Sequence, residues 1–313
     1  MRKIIATFSF FLTGLISFAQ QDAQFSHNMF NRLATNAGYA GTNNAICATL
    51  IGRSQWLSFP GSPKSFLLSL DAPVAILHGG LGLTLVSDQL GYEKNLNAKL
   101  AYSFHLVLSG GILGIGLEGG MMQKGIDGSH WVSPNGDPST DKSIPGTIST
   151  VTYDVGFGAY YATNQFYVGL SSTHLPQSVL TKGNFNYTNV RHYYITGGYD
   201  FQLPDNPNIE LKPSLLAKSD GRETQLDVNM LVQYNKLFWG GVSYRITDAI
   251  VALVGFNYGL ANGSNLRVGY SYDITTSALR GYSSGSHELL LGYCFNIKAP
   301  EKKQSHQNVR FLN

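Results

Sequence analysis

The 313-residue sequence predicts an all-β protein: a transmembrane antiparallel β-barrel of about 14 strands, with non-strand segments at both ends. Three observations carry that expectation. Only 13% of residues are charged, about half of what a soluble domain uses, while 43% are hydrophobic and 12% aromatic. Beyond residue 44 the dominant hydrophobic period is two, so successive side chains face opposite sides of a sheet. The joints between alternating runs sort by parity into long and very short, as in a barrel with long external loops and short periplasmic turns. The 35 glycines and 35 Tyr plus Phe suit strands and tight turns and disfavour a helical bundle.

At the N-terminus, Arg2 and Lys3 precede a mainly apolar run from Ile4 to Leu15, then Ser17-Phe18-Ala19. This reads as a secretory signal peptide, residues 1–19, cut after Ala19. The run is shorter than the roughly 20 residues of a spanning anchor helix. An exported chain with this patterning is either soluble outside the inner membrane or a β-barrel in a cell outer membrane, and the outer membrane is the preferred reading. Residues 20–44 are polar and turn-rich and are assigned as an N-terminal periplasmic or plug segment.

Residues 45–297 form the expected barrel. Its strands are placed at 45–57, 64–73, 79–88, 93–107 and 111–123, then 151–162, 164–175, 190–203 and 207–217. The clearest alternation follows at 222–234, 236–247, 248–260, 263–274 and 286–297. There, for example, Val228, Met230 and Val232 alternate with Asp227, Asn229 and Leu231. If the first strand runs outward, the long joints 124–150, 176–189 and 275–285 all lie outside. The short ones, at Ser109-Gly110, Thr163, Asn235 and Ala261-Asn262, lie inside. Both chain ends then face the periplasm. Asn262-Gly263 suits a hairpin turn, because both residues tolerate positive φ. The glycosylation-like triplets at Asn186 and Asn262 are read as chance.

The face opposite the apolar one carries Asp71, Lys99, Glu118, Asp154, Asp200, Asp227, Arg245, Arg267, Asp273 and Glu288. Charges of both signs facing one enclosed space suit a wet or ion-paired lumen, because a dry core would tax each of them. These ten are the lumen-facing candidates. Mid-strand glycines, among them Gly80, Gly82, Gly116 and Gly158, are assigned to bends and close packing where the wall curves. Cys47 and Cys294 fall in the first and last strands, which a closed barrel makes neighbours. A disulfide is geometrically open to them, but two small apolar fillers is the preferred reading.

No enzymatic signature emerges. GxSxG, HExxH and Walker patterns are absent. The Gly-rich run 111–116 sits inside an alternating strand and opens no helix. Asp88, Ser103 and His105 form only the sort of triple that any chain offers. With no CxxC or Cys/His spacing, no metal or cofactor is expected, and no charge block points to nucleic acid. Residues 298–313 form a tail with four cations against Glu301. It is either solvated or a peptide for a periplasmic partner, through Arg310, Phe311 and Leu312.

Several motifs together resemble the PorP/SprF family of Bacteroidetes outer-membrane proteins. They are Gln24-Phe25-Ser26, Met29-Phe30-Asn31, Asn36-Ala37-Gly38-Tyr39-Ala40-Gly41, Gly52-Arg53-Ser54-Gln55-Trp56, Gly61-Ser62-Pro63-Lys64 and Ser69-Leu70-Asp71-Ala72-Pro73. Toward the C-terminus come Gly241-Val242-Ser243-Tyr244-Arg245, Gly269-Tyr270-Ser271-Tyr272-Asp273, Gly285-Ser286-His287-Glu288 and the final Arg310-Phe311-Leu312. Two departures stand out: Asn31-Arg32 and Asn36-Ala37 occupy places where the family usually has Asn-Pro. The resemblance implies a non-enzymatic barrel of the type IX secretion system. Its implied partners are periplasmic ring and motor components, a secreted surface adhesin or other cargo, and outer-membrane lipid. The role would be export, gliding or surface attachment of that cargo. The alternative is a pore for diffusion or uptake of small solutes, since one architecture serves both.

Overall fold

The computed structural model describes residues 22–128, 147–182 and 185–296. The expected signal peptide, most of the 124–150 joint and the 298–313 tail with Arg310, Phe311 and Leu312 lie outside the described residues. Seventeen strands are found among those described. They are β1 (Ala45–Ser54), β2 (Lys64–Val74), β3 (Gly79–Leu90), β4 (Glu93–Leu108), β5 (Gly111–Ile126), β6 (Ile148–Thr163), β7 (Phe166–Thr173), β8 (Val179–Lys182) and β9 (Phe185–Thr188). They continue with β10 (His192–Tyr199), β11 (Phe201–Leu203), β12 (Asn206–Ser219), β13 (Thr224–Tyr234), β14 (Phe238–Arg245), β15 (Ala249–Gly259), β16 (Asn265–Thr275) and β17 (Ser286–Asn296).

Fourteen of these close into one antiparallel barrel. Each wall strand pairs with its neighbour in sequence. The circle shuts where β1 pairs β17, with Leu50 opposite Leu291, and β10 pairs β12, with Ile195 opposite Ala217. Closure leaves no unpaired edge, which lipid would penalise. The other strands are accessory: β8 and β9 form a separate hairpin between β7 and β10, and the three-residue β11 pairs only with β12. The expected run 190–203 therefore breaks at Asp200, and the joint 176–189 carries a hairpin of its own.

Two features of the backbone set the boundaries. The first strand stops at Ser54, three residues early, because Trp56 and Ser58 take the left-handed region at φ 50° and 72°. The β13–β14 turn places Asn235 and Lys236 at φ 51° and 57°, the geometry of a type I′ hairpin turn. All the turns between β2 and β3, β4 and β5, β6 and β7, β13 and β14, and β15 and β16 are short, and they share one end with Ala45 and Asn296. This is termed the short-turn end. The longer connections gather at the other, the long-loop end.

Outward-facing residues are apolar and exposed: Leu100 is 67% exposed, Leu117 61% and Leu289 62%. Exposed Phe166, Tyr199, Tyr234, Phe238, Tyr258 and Phe295 cluster toward the short-turn end, as an interfacial girdle would. Among the described residues there is no α-helix, and no helix long and apolar enough to cross a membrane.

Cys47 and Cys294 are directly opposite each other across the β1–β17 seam and are joined by a disulfide. The preference for two apolar fillers is thus corrected. Barrel closure brings two residues 247 positions apart into register on the same face, where the thiols meet.

Candidate functional site

The interior is built around residues 22–44, which touch the inner face of every wall strand. Apolar contacts come first. Phe25 and Met29 share a buried cluster with Ile51, Leu67, Leu231, Trp239, Val251, Leu253 and Leu290, on β1, β2, β13, β14, β15 and β17. Polar contacts complete the ring. Ser26 Oγ donates to Asp273 Oδ1 at 2.9 Å on β16. Gly41 N donates to Asp71 Oδ2 at 3.2 Å on β2, and Ser103 Oγ on β4 donates to the Gly38 carbonyl at 2.9 Å. Asn36 Nδ2 donates to the carbonyls of Ala159 on β6 and Leu170 on β7. Tyr194 on β10 and Lys218 on β12 reach Asp22.

Glycines make room for this segment. A Cβ on Gly114 would stand 2.1 Å from the Gly38 carbonyl oxygen, and one on Gly116 2.4 Å from the Ala37 carbonyl carbon. On Gly80 it would meet the Ala40 carbonyl oxygen at 2.2 Å, and on Gly158 the Asn36 side chain at 2.1 Å. Of these, Gly80, Gly116 and Gly158 are among the glycines that the sequence assigns to bends and close packing where the wall curves. They serve the close approach of a second piece of chain, which no local pattern announces. Gly114→Val is therefore expected to leave a folded, heat-modifiable barrel whose inner segment is undocked. Trypsin cleavage after Arg32, identified by mass spectrometry, should speed up about tenfold for each 1.4 kcal/mol of docking lost. Equal resistance in the parent and the variant would disprove this packing.

The segment runs the length of the barrel. Residue 44 leads into β1 at the short-turn end. Asp22 lies at the long-loop end, beside His174, which directly follows β7. Asp22 thus sits at the opposite end of the barrel from Ala45.

Buried charges form two networks. In the first, Arg245 Nε lies 3.3 Å from Asp227 Oδ1 and its Nη1 3.1 Å from Asp273 Oδ2. Arg53 Nη2 is 2.8 Å from Asp273 and its Nη1 3.2 Å from Glu288. Glu288 also accepts from the Ser26 and His27 amides at 2.7 and 2.8 Å. In the second, Lys99 Nζ lies 2.9 Å from Glu118 and 3.1 Å from Asp154. His174 sits between Asp154, 2.9 Å from its Nδ1, and Asp22, 3.0 Å from its Nε2. Burial opposes a charge on His174, but the Asp22 and Asp154 carboxylates outweigh it and lift its pKa to about 9. Burial likewise works against an ionised Asp22, yet His174 holds it well below the usual carboxylate range.

Of the sequence candidates, Asp227, Arg245, Asp273 and Glu288 meet in the first network, and Lys99, Glu118 and Asp154 in the second. Asp71 is buried near the Gly41 amide. Arg267 donates to Asn257 Oδ1 at 2.9 Å and lies 4.2 Å over the Phe30 ring. Asp200 stands apart. Its side chain is 48% exposed at the break after β10, where it accepts from Lys212 at 2.8 Å. Sequence reasoning missed Arg53, although it continues the inward series Cys47, Thr49, Ile51. It also missed Ser26, His27, Asp22 and His174, which belong to non-strand segments with no period to read.

The interior holds cavities at both ends. One of about 130 Å³ lies at the long-loop end and is lined by Asp22, Lys99, Lys124, Tyr187, His192 and Lys218 among others. Another of about 370 Å³ lies toward the short-turn end, beside Phe30, Arg32, Asp71 and Arg267. A family model described as "Type IX secretion system membrane protein PorP/SprF" matches residues 17–293. The chain belongs to the PorP/SprF family. No curated protein matches it. Among solved structures this PorP/SprF barrel is similar to the CymD monoaromatic hydrocarbon channel, with a TM-score of 0.50 and 10% identity over 82% of this chain and 88% of that one. It is also similar to a TodX deltaS2S3 mutant monoaromatic hydrocarbon channel, with a TM-score of 0.47 and 11% identity over 81% and 89%. A Pseudomonas aeruginosa FadL homologue gives 0.45, with 11% identity over 81% and 89%. At such identity the likeness concerns fold alone. The family and the lipid-type outer face of the PorP/SprF barrel agree on an outer-membrane protein of the type IX secretion system.

Proposed function

We propose that this PorP/SprF barrel is a non-enzymatic dock that supports export or cell-surface attachment of a secreted partner, of the adhesin or gliding type. The observation that carries the reading is the inner segment. A cylinder whose own chain contacts every wall strand is built for rigidity rather than for flow. Recognition on such a scaffold falls to loops. The surface for the secreted partner is the long-loop end, with the 124–150 joint and the β8–β9 hairpin. Periplasmic ring and motor components engage the 298–313 tail through Arg310, Phe311 and Leu312. The lumen candidates other than Asp200 then act as struts, holding segment and wall together rather than contacting cargo.

Affinity purification from native outer membrane tests the reading. The full chain is expected to co-elute type IX secretion components and one large secreted protein. A variant ending at residue 297 should keep the secreted protein and lose the periplasmic components. Co-elution of the same periplasmic components with the truncated barrel would end the assignment of the tail. Recovery of neither class with the full chain would end the dock reading.

A further inference from the structure

His174, His192 and Asp22 converge at the long-loop end, beneath the β8–β9 hairpin. One nitrogen of each imidazole and one Asp22 carboxylate oxygen all lie within 4.8 Å of one another. Both imidazoles are buried and cross edge to face, with ring centroids 5.6 Å apart. Asp22 is the first described residue of the inner segment, whereas both histidines belong to the wall side.

The surroundings of these three groups are those of a metal centre. His192 Nδ1 lies 3.0 Å from the Val190 carbonyl. A carbonyl only accepts, so Nδ1 carries the proton and Nε2 presents its lone pair. That Nε2 is buried and has no hydrogen-bond partner. His174 Nδ1 faces the Asp154 carboxylate at 2.9 Å, which leaves Nε2 turned to Asp22 at 3.0 Å. Asp22 Oδ2, itself 3.1 Å from His174 Nε2, is steadied by Tyr194, whose hydroxyl donates at 2.8 Å. Each prospective ligand thus has an outer partner that fixes its orientation, which metal-bound histidines and carboxylates characteristically have.

Charge points the same way. Asp22, Asp154 and Glu118 face Lys99 and Lys218, with Lys218 Nζ 3.0 Å from the Asp22 carbonyl. The third positive charge in this group is the proton that His174 holds between Asp22 and Asp154, and an ion held by these ligands would take its place. Two nitrogens and one carboxylate suit zinc-class transition ions rather than calcium or magnesium, which prefer all-oxygen shells. Bonds of about 2.0–2.2 Å require ligand atoms closer together than 4.8 Å, a shift within the reach of side-chain rotation.

We infer that Asp22, His174 and His192 bind a divalent transition-metal ion of the zinc class, which clasps the start of the inner segment to the wall. The fourth coordination position opens on the 130 Å³ cavity. The site does not depend on the docking role.

The test uses the untagged full chain, purified in detergent and stripped with a chelator. Titration with zinc alone should show one ion bound per barrel, and cobalt should give the visible d–d bands of a site with nitrogen ligands. Asp22→Asn and His192→Gln should each weaken zinc binding by about 100-fold or more, exceeding the usual loss from an outer partner. Asp22→Asn keeps the shape of a side chain outside the wall. A heat-modifiable gel shift confirms that each variant is folded. His78→Gln, exposed at the short-turn end, should bind zinc as the parent does. No stoichiometric uptake by the parent, undiminished uptake in both variants, or an equal loss in His78→Gln overturns the site.

Discussion

Deleting residues 22–41 should turn an electrically quiet barrel into a conducting one. In planar bilayers the full chain is expected to give no steady ohmic steps, because the inner segment packs on all fourteen wall strands. The deletion leaves the wall pairing intact and empties the interior. Fourteen strands enclose more than side chains alone can fill: about eight strands suffice for a filled core, whereas 16–18 leave an aqueous channel. Steady steps should then appear, with the buried Arg53, Arg245, Asp273 and Glu288 now facing water. Steady steps from the full chain instead would favour the small-solute pore and count against the dock.

Arg245→Met should cost about 3–5 kcal/mol of stability, the usual result of removing one partner from a buried charge pair. Arg245 is fully buried and lies between Asp227 and Asp273. Without it, Asp227 loses its guanidinium partner, while Asp273 and Glu288 keep Arg53. Lys212→Met provides the comparison. Lys212 also pairs with carboxylates, Asp200 and Glu210, but toward solvent, and its loss should stay within about 1 kcal/mol. Urea unfolding of both variants in the same lipid or detergent reads the difference. Equal, small losses would mean that water reaches the first network.

The wall was legible because lipid and interior impose opposite demands on alternate residues. Val228, Met230 and Val232 face out while Asp227, Asn229 and Leu231 face in, and the period of two survives in the sequence. Strand ends were less legible. They depend on single residues such as Trp56 and Ser58 that adopt positive φ without glycine to announce it. The interior was legible only in part. Charged residues mark the inward face wherever a strand supplies the frame, so Asp227, Arg245, Asp273 and Glu288 could be found. Ser26, which contacts Arg245, Asp273 and Glu288, could not, since residues 22–44 carry no period and their neighbours are set by closure. His174 and His192 are separated by a hairpin, and Asp22 stands some 150 positions before them. No spacing rule joins the three. The same holds for Cys47 and Cys294, whose meeting depends on the whole circle.

That bond across the seam makes the fourteen-strand wall a covalent hoop. Any one of its connecting loops could be cut, at the cell surface or during handling, and the two ends of the cut would still belong to one molecule. The seam that closes last by sequence is then the one place where the wall cannot peel open, and wear on the exposed loops need not release the cylinder.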